Sequence, residues 1–227
     1  MDHFRSNISR ILHAYRCLQT EEYRYTTTGS LNCILTAYAE LGDVPTTFRV
    51  FEHMNDFNVE PDIVSFTCLF EALALHIKST VSHRLSPENK DENLEDSQNL
   101  LTSGMQTTKD EVASVLETVD VIFDMMKSRN LEMDHECWHQ YIRILCFLKE
   151  VDRALEILRK LTDRKERILM TTYSSLSYSS ASIGRFDVAR ATADMILEAG
   201  YHRIPESLLF KIDEFEQKCK FDELDKR

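Results

Sequence analysis

The chain has 227 residues, of which 43% are hydrophobic, and its 38 Asp and Glu against 27 Lys and Arg give a net charge of −11. This composition is ordinary for a folded protein, and no apolar run approaches the roughly 18 residues that a membrane helix needs, so we predict no spanning segment. The acidic balance counts against strong nucleic-acid binding, because phosphate contacts supply most of that affinity.

The segment before residue 28 carries one amphipathic pattern. Apolar side chains recur there at helical spacing and predict a single helix within 1–27, at Ile8, Ile11, Leu12, Tyr15 and Leu18. This helix would cap the fold or be the surviving half of an earlier hairpin. The opening Met1-Asp2-His3 does not resemble a targeting peptide, which would be rich in Arg and poor in acids.

Residues 28–62 have the clearest pattern, a helix-turn-helix unit. Apolar side chains recur at helical spacing on both sides of an interruption at Gly42 and Asp43. Asp43 is suited to cap the second helix, with Pro45 in its first turn, where the missing N–H does no harm. Pro61 prevents that helix from continuing.

The same frame returns three more times along the chain. The second copy occupies 63–134, the third 135–169 and the fourth 170–204. A period of about 35 residues is typical of stacked helical hairpins, none of which can bury its apolar face alone. The pattern predicts an all-α fold, an α-solenoid of helix-turn-helix repeats in a single domain over 1–227. Residues 205–227 would form a capping helix and a charged tail.

The second copy contains a long polar insertion at about 78–111. It carries Pro87 and Gly104, and it has more acidic than basic side chains. The loss of helical periodicity predicts a flexible loop outside the repeat frame. One interpretation is a solvated insertion without further role; the alternative is a segment that docks a partner or is phosphorylated.

One short motif raises the alternative of an enzyme. His135, Glu136 and His139 satisfy H-E-x-x-H, in which two imidazoles one helical turn apart bind zinc and the glutamate activates water. The motif opens a repeat's first helix, Trp138 is accounted for as a core aromatic, and no clear third ligand follows. The six cysteines include no C-x-x-C pair, which favours free thiols in a reducing compartment. We therefore predict no enzyme activity, no metal and no cofactor.

The first copy resembles the pentatricopeptide repeat family. The matching positions in that copy are Asn32, Tyr38, Gly42, Phe51, Met54, Pro61 and Asp62. In the third and fourth copies the resemblance rests mainly on the frame, with Trp138 and Tyr173 at the aromatic position. The resemblance implies hairpins stacked in a right-handed superhelix, with the first helix of each repeat on the concave face. It also implies that each repeat reads one base of single-stranded RNA.

The resemblance further implies which side chains would read RNA bases. Residue by residue, the reading pairs are Asn32 with Asp62 and Thr67 with Asp134, which resemble a uracil reader and a guanine reader. In such a pair the amide or hydroxyl bonds a base edge while the aspartate orients it. The alternative for Asn32 and Asp62 is helix capping and turn chemistry, for which both residue types are suited.

Other positions match the family less well. Val64 is the one base-stacking position that holds the usual aliphatic type. The third and fourth repeats offer His139 and Ser174 as weaker RNA candidates, because their partners Leu169 and Ile204 complete no familiar pair. The lysine that the family often places late in the first helix is replaced in every copy, by Glu40, Leu75, Phe147 and Ser182.

With the resemblance, these residues predict a sequence-selective, single-stranded RNA-binding module in organellar RNA metabolism, acting in processing, stability or translation in a mitochondrion or plastid. RNA binding by the chain alone would be weak. The alternative is a structural scaffold or protein-interaction subunit of a larger organellar assembly, such as a mitochondrial ribosome, which accounts better for the charge and the missing lysines. Neither prediction involves a membrane or a small-molecule substrate.

Overall fold

The structure is a computed structural model that describes residues 26–84 and 109–224. The helix predicted within 1–27 and residues 85–108 of the predicted insertion lie outside the described residues. The described residues form nine α-helices and contain no strand, so the predicted all-α fold class is confirmed. The helices are α1 Thr28–Glu40, α2 Val44–Asp56, α3 Ile63–Arg84, α4 Lys109–Ser128, α5 His135–Phe147, α6 Val151–Asp163, α7 Met170–Ser182, α8 Phe186–Glu198 and α9 Glu206–Leu224.

The chain divides into two compact units, Met1–Met133 and Asp134–Arg227. The sequence predicted a single domain instead. The division falls between the second and third predicted repeats, one residue before α5 begins. Each unit is described by itself below.

In the first unit, α1 packs against α3, and α2 packs against both. α4 also packs against α3. Phe51 of α2 and Phe66 of α3 meet edge to face with their ring centroids 5.0 Å apart, a favourable geometry for aromatic pairs. The largest fully buried side chains of this unit are Phe51, Phe66, Phe70, Leu31, Leu35, Met54, Leu69, Ile122 and Met126.

The turn between α1 and α2 depends on Gly42 and Asp43. Gly42 has a φ of +67°, and a Cβ at this position would lie 3.2 Å from the backbone N of His76 in α3. Asp43 accepts a 3.1 Å hydrogen bond from the backbone N of Thr46, and Pro45 lies in the first turn of α2. The capping role predicted for Asp43 is therefore confirmed.

The insertion is narrower than the sequence predicted. α3 continues to Arg84 and α4 begins at Lys109, so the helices include both ends of the segment predicted at 78–111. The reason is that Ile77 is still buried, so the helix keeps a core contact at the point where its exposed face becomes polar.

The prediction that no apolar run approaches membrane length is wrong for α3. Within α3, the 18 residues Ile63–Thr80 are long and apolar enough to cross a membrane by length and composition alone. Half of that window is buried inside the fold, and the core helix of a folded domain passes the same test. Phe66, Leu69 and Phe70 account for the apolar character, because they fill the core between α1, α2 and α4.

In the second unit, α7 lies between α5 and α9 and packs against both. α6 packs on α5 and α7, and α8 packs on α7 and α9. Serines on α7 allow close helix packing and satisfy backbone carbonyls. The Oγ of Ser179 donates to the carbonyl of Cys146 at 2.8 Å, and the Oγ of Ser177 donates to the carbonyl of Ala189 at 2.7 Å.

Candidate nucleic-acid interface

Asn32 lies in the second turn of α1, and its side chain is fixed by two neighbours. Its Nδ2 donates a hydrogen bond to Oδ1 of Asp62 at 2.9 Å, and its Oδ1 accepts one from the Oγ of Ser65 at 2.6 Å. Only 8% of Asn32 is exposed. The amide is therefore held in one orientation before any ligand arrives, because a flipped amide would face the carboxylate with its oxygen.

Asp62 has a second task at the start of α3. Its Oδ1 accepts a 3.0 Å bond from the backbone N of Ser65, while the backbone N of Asp62 donates to the Oγ of Ser65 at 3.2 Å. These reciprocal bonds form a capping box, in which two helix-end donors are satisfied together. The capping interpretation is thus correct for Asp62, and the carboxylate that caps α3 is the one that holds Asn32.

The network leaves hydrogen-bonding capacity for a ligand. Asn32 has a second Nδ2 proton and a second lone pair on Oδ1, and a carboxylate such as that of Asp62 can accept several bonds. Asp62 is half-buried. Together these side chains offer one N–H donor next to oxygen acceptors, and such a set can pair with the Watson–Crick edge of an exposed base. The pair predicted from the resemblance is therefore brought together, and Ser65 is a third member that the sequence analysis missed.

The other predicted residues of this region are placed as follows. Val64 is 47% exposed, as a residue that contacts a base must be. Thr67 is half-buried, and its Oγ1 donates to the carbonyl of Ile63 at 2.9 Å. Asp134 caps α5, where its Oδ1 accepts bonds from the backbone N of Glu136 at 3.1 Å and of Cys137 at 2.8 Å. Thr67 belongs to the first unit and Asp134 to the second, so their pairing stays a prediction.

His139 repeats in the second unit the arrangement of Asn32 in the first. Its Nδ1 lies 2.8 Å from the Oγ1 of Thr172, which follows it by 33 residues, as Ser65 follows Asn32. His139 is 8% exposed, and burial lowers the pKa of its imidazole to about 4, so the ring is neutral at physiological pH. A period of 33 residues between the two partners was the only sequence signal that could have pointed to Ser65 and Thr172.

The H-E-x-x-H motif does not assemble as a ligand set in this geometry. His135 is exposed, whereas His139 is buried against Thr172. Glu136 accepts a 3.0 Å bond from Nε2 of Gln140. Among the residues that the structure describes, no group of three or more His, Cys, Asp or Glu side chains is placed to hold a metal ion.

Ser174 is a half-buried residue of α7, and its Oγ donates to the carbonyl of Met170 at 3.0 Å. Nearby, the position where the resemblance implied a lysine in the fourth repeat holds Ser182. The Oγ of Ser182 accepts a 2.6 Å hydrogen bond from Nζ of Lys149. The ammonium group of Lys149 therefore lies beside Ser182, although residue 182 itself is not a cation.

Comparisons with known proteins agree with the resemblance. Residues 27–74 match the model of the PPR repeat family. No sequence among the curated proteins matches this chain. The fold is similar to that of PPR10 from maize, solved in complex with an 18-nt psaJ RNA element, with 12% identity and a TM-score of 0.61 over 96% of this chain and 27% of PPR10. The chain thus spans about a quarter of the length of that relative.

A second solved structure is similar over most of its own length. It is the PPR domain of the Arabidopsis thaliana protein-only RNase P 1, in complex with tRNA, with 12% identity and a TM-score of 0.53. The match covers 83% of this chain and 80% of that domain. The predicted solenoid class of helix-turn-helix repeats and the pentatricopeptide resemblance are both confirmed by these comparisons.

Proposed function

We propose that this chain, a pentatricopeptide repeat protein by its first repeat and its fold, is a sequence-selective module that binds single-stranded RNA in organellar RNA metabolism. The observation that carries the proposal is the fixed Asn32–Asp62 pair, with a donor and acceptors held in place by Ser65. Binding without rearrangement of the amide avoids an ordering cost, so a single base contact can contribute to selectivity. The similar structures, PPR10 and the RNase P domain, were both solved with RNA.

The roles of the reading residues follow from this arrangement. Asn32 would use its remaining Nδ2 proton and Oδ1 lone pair on the edge of one base, which by the resemblance is uracil. Asp62 would keep the amide in place and accept from the base directly or through water. Val64 would contact a base face, and the reading of guanine by Thr67 with Asp134 stays a prediction from the resemblance.

The proposal is tested by the base preference of the purified chain. Fluorescence anisotropy compares three single-stranded RNAs that differ only in a central UG, GG or CA and are long enough to span all four repeats, at low and at physiological salt. Asn32→Thr creates the Thr–Asp pair that the resemblance associates with guanine, so the preference at the first position should change from U to G. Asn55→Thr, at an exposed amide of α2, is the matched control and should keep the preference for U.

The wild-type preference decides the assignment. If the wild-type chain does not distinguish UG from CA at either salt, the base-reading role of Asn32 and Asp62 fails. A preference that survives in Asn32→Thr would mean that RNA is read by other residues.

A scaffold function is favoured by two different observations. Residues 1–133 contain 21 Asp and Glu against 11 Lys and Arg, which opposes RNA in that unit. Phe210 and Phe221 on α9 are each 67% exposed, as residues at a protein interface often are. The test is recovery of the tagged chain from its own cells with and without ribonuclease. Protein partners that remain after ribonuclease, with no RNA recovered, would support the scaffold.

A further inference from the structure

The second unit has a cleft of about 500 Å³ lined by α5, α7, the start of α9 and the turn after α5. Three of its lining side chains are cations, Arg143, Lys149 and Lys211, and none is acidic. The rest of the wall consists of hydroxyl groups, the two aromatic rings of Phe147 and Tyr178, and the apolar side chains of Cys146, Met170, Pro205 and Leu208. A cleft with this mixture suits a ligand that is both anionic and aromatic.

Lys149 is the best-placed cation of this cleft. Its Nζ donates to the neutral Oγ of Ser182 at 2.6 Å, and no carboxylate of the described residues lies within ion-pairing distance of it. Burial lowers the pKa of the Lys149 ammonium below its ordinary value. A half-buried ammonium without a counter-charge would gain from an anion that enters the cleft.

The guanidinium of Arg143 is connected to an acidic side chain only through a neutral amide. Its Nη1 donates to Oε1 of Gln140 at 2.7 Å, and Gln140 in turn donates to Glu136 at 3.0 Å. The guanidinium carbon lies 5.8 Å from the centroid of the Phe147 ring, a cation–π distance. The neutral amide between the two charged groups leaves most of the guanidinium donors available for an anion. Lys211, by contrast, already has an acidic neighbour, Glu214, at 2.9 Å.

The charge of the second unit permits such a site. Residues 134–227 contain 16 Lys and Arg against 17 Asp and Glu, whereas the excess of acids is concentrated in 1–133. Nearly all of the net charge of −11 therefore lies in 1–133, and the unit that carries the cleft is close to neutral. Near neutrality removes the long-range repulsion that would oppose an anionic ligand.

Tyr178 adds an aromatic surface to the cleft. Its side chain is 45% exposed, although its ring packs edge to face against Phe215 with centroids 5.4 Å apart. The contact with Phe215 fixes the ring and leaves part of it open. Stacking of a base on such a ring is tolerant of sequence, because every base has a π-face.

We propose that this cleft binds the backbone of single-stranded RNA without regard to sequence, with Lys149 and Arg143 on phosphate and Tyr178 against a base. The inference rests on the RNA-binding function proposed above and adds to it the source of its affinity. The first unit would select the base, and the cleft of the second would contribute the contacts to phosphate.

The experiment measures binding of a fluorescent oligouridine to the full chain over a series of salt concentrations. Lys149→Gln and Arg143→Gln should each bind roughly fivefold more weakly at low salt, and each should lower the slope of log Kd against log salt by about 0.7. Lys218→Gln and Arg159→Gln change the net charge equally, at exposed positions that do not line the cleft, and should match the wild type. Circular dichroism of each variant checks that it is folded.

A second pair of variants tests the aromatic contact. Tyr178→Leu should weaken binding of oligouridine. Tyr178→Phe should bind as tightly as the wild type, because only the ring is needed for stacking. A loss in both variants would mean that the hydroxyl acts by a hydrogen bond, and would overturn the stacking role.

The outcomes separate this inference from the proposed function. If the wild type binds RNA and the cleft variants bind equally well with the same salt slope, the cleft is not the site and the function stands. If the wild type binds no RNA even at low salt, both are overturned. If polyglutamate binds as tightly as RNA and the cleft variants weaken both alike, the cleft is a site for acidic protein, and the RNA inference is wrong.

Discussion

The hydroxyl of Ser65 donates a 2.6 Å hydrogen bond to the side-chain oxygen of Asn32, which precedes it by 33 residues on the neighbouring helix. Thr172 stands in the same relation to His139, at 2.8 Å and the same separation. In both units, the candidate reading residue of one repeat is thus held by a hydroxyl of the next. The neighbouring repeat therefore controls the orientation of the side chain that would meet a base.

Replacing Ser65 with Ala should destabilise the first unit and weaken base selection. The change removes the bond to Asn32 and one half of the capping box at α3, which together should cost about 1–2 kcal/mol of unfolding free energy. Urea titration followed by circular dichroism measures the stability, and the UG and CA RNAs measure the selection. Ser128→Ala, at an exposed serine that bonds only its own helix, is the control and should change neither.

His139 should make the second unit less stable in mild acid. Because burial lowers its folded pKa to about 4, below the unfolded value, the unfolded chain takes up a proton first as pH falls. The stability from this group is complete above the unfolded pKa, is lost progressively as pH falls from there towards about 4, and amounts to at most about 3 kcal/mol.

The variant His139→Asn isolates that contribution, since Asn can bond a hydroxyl, as Asn32 does, but does not titrate. Its unfolding free energy should fall less than that of the wild type between neutral pH and pH of about 4. His135→Asn, at the exposed histidine of the same helix, is the matched control. Equal pH profiles for His139→Asn and the wild type would contradict the assignment.

Gly42→Ala should be more harmful than Gly184→Ala, although both glycines have a positive φ. At Gly184 the φ of +80° imposes backbone strain alone, about 1 kcal/mol, because nothing lies within 4 Å of an added Cβ. At Gly42 the same strain is joined by a contact of 3.2 Å with the backbone of α3, so the loss should reach about 2 kcal/mol. Chemical denaturation of the two variants gives the comparison, and equal losses would show that α3 moves aside freely.

Zinc should not bind stoichiometrically to the H-E-x-x-H segment. Nδ1 of His139 is engaged with Thr172 and the ring is buried, while His135 is exposed. Elemental analysis of protein purified with and without added zinc measures the content, and His139→Asn should leave it unchanged. One zinc per chain that disappears in His139→Asn would instead revive the metal-site hypothesis.

Local sequence patterns predicted the helices and most of their ends correctly. Helix formation depends on near neighbours, so apolar spacing, Gly42, Asp43 and Pro61 predicted the first hairpin correctly. The same reasoning failed at Lys78, because the burial of Ile77 against other helices keeps α3 intact where its local composition favours a loop. The family resemblance likewise depended on local positions, and it identified Asn32 and Asp62 as a pair.

The roles of those side chains depend on contacts that form only when the helices pack. Whether Asn32 is free or held depends on Ser65, a residue that meets it only when two repeats stack. The cation beside Ser182 comes from Lys149, 33 residues earlier, and the two share no local pattern. Hydrogen bonds and charges act between residues that are distant in the sequence, whereas periodicity indicates only the faces of single helices. The interface could therefore not be predicted without knowing how the helices pack.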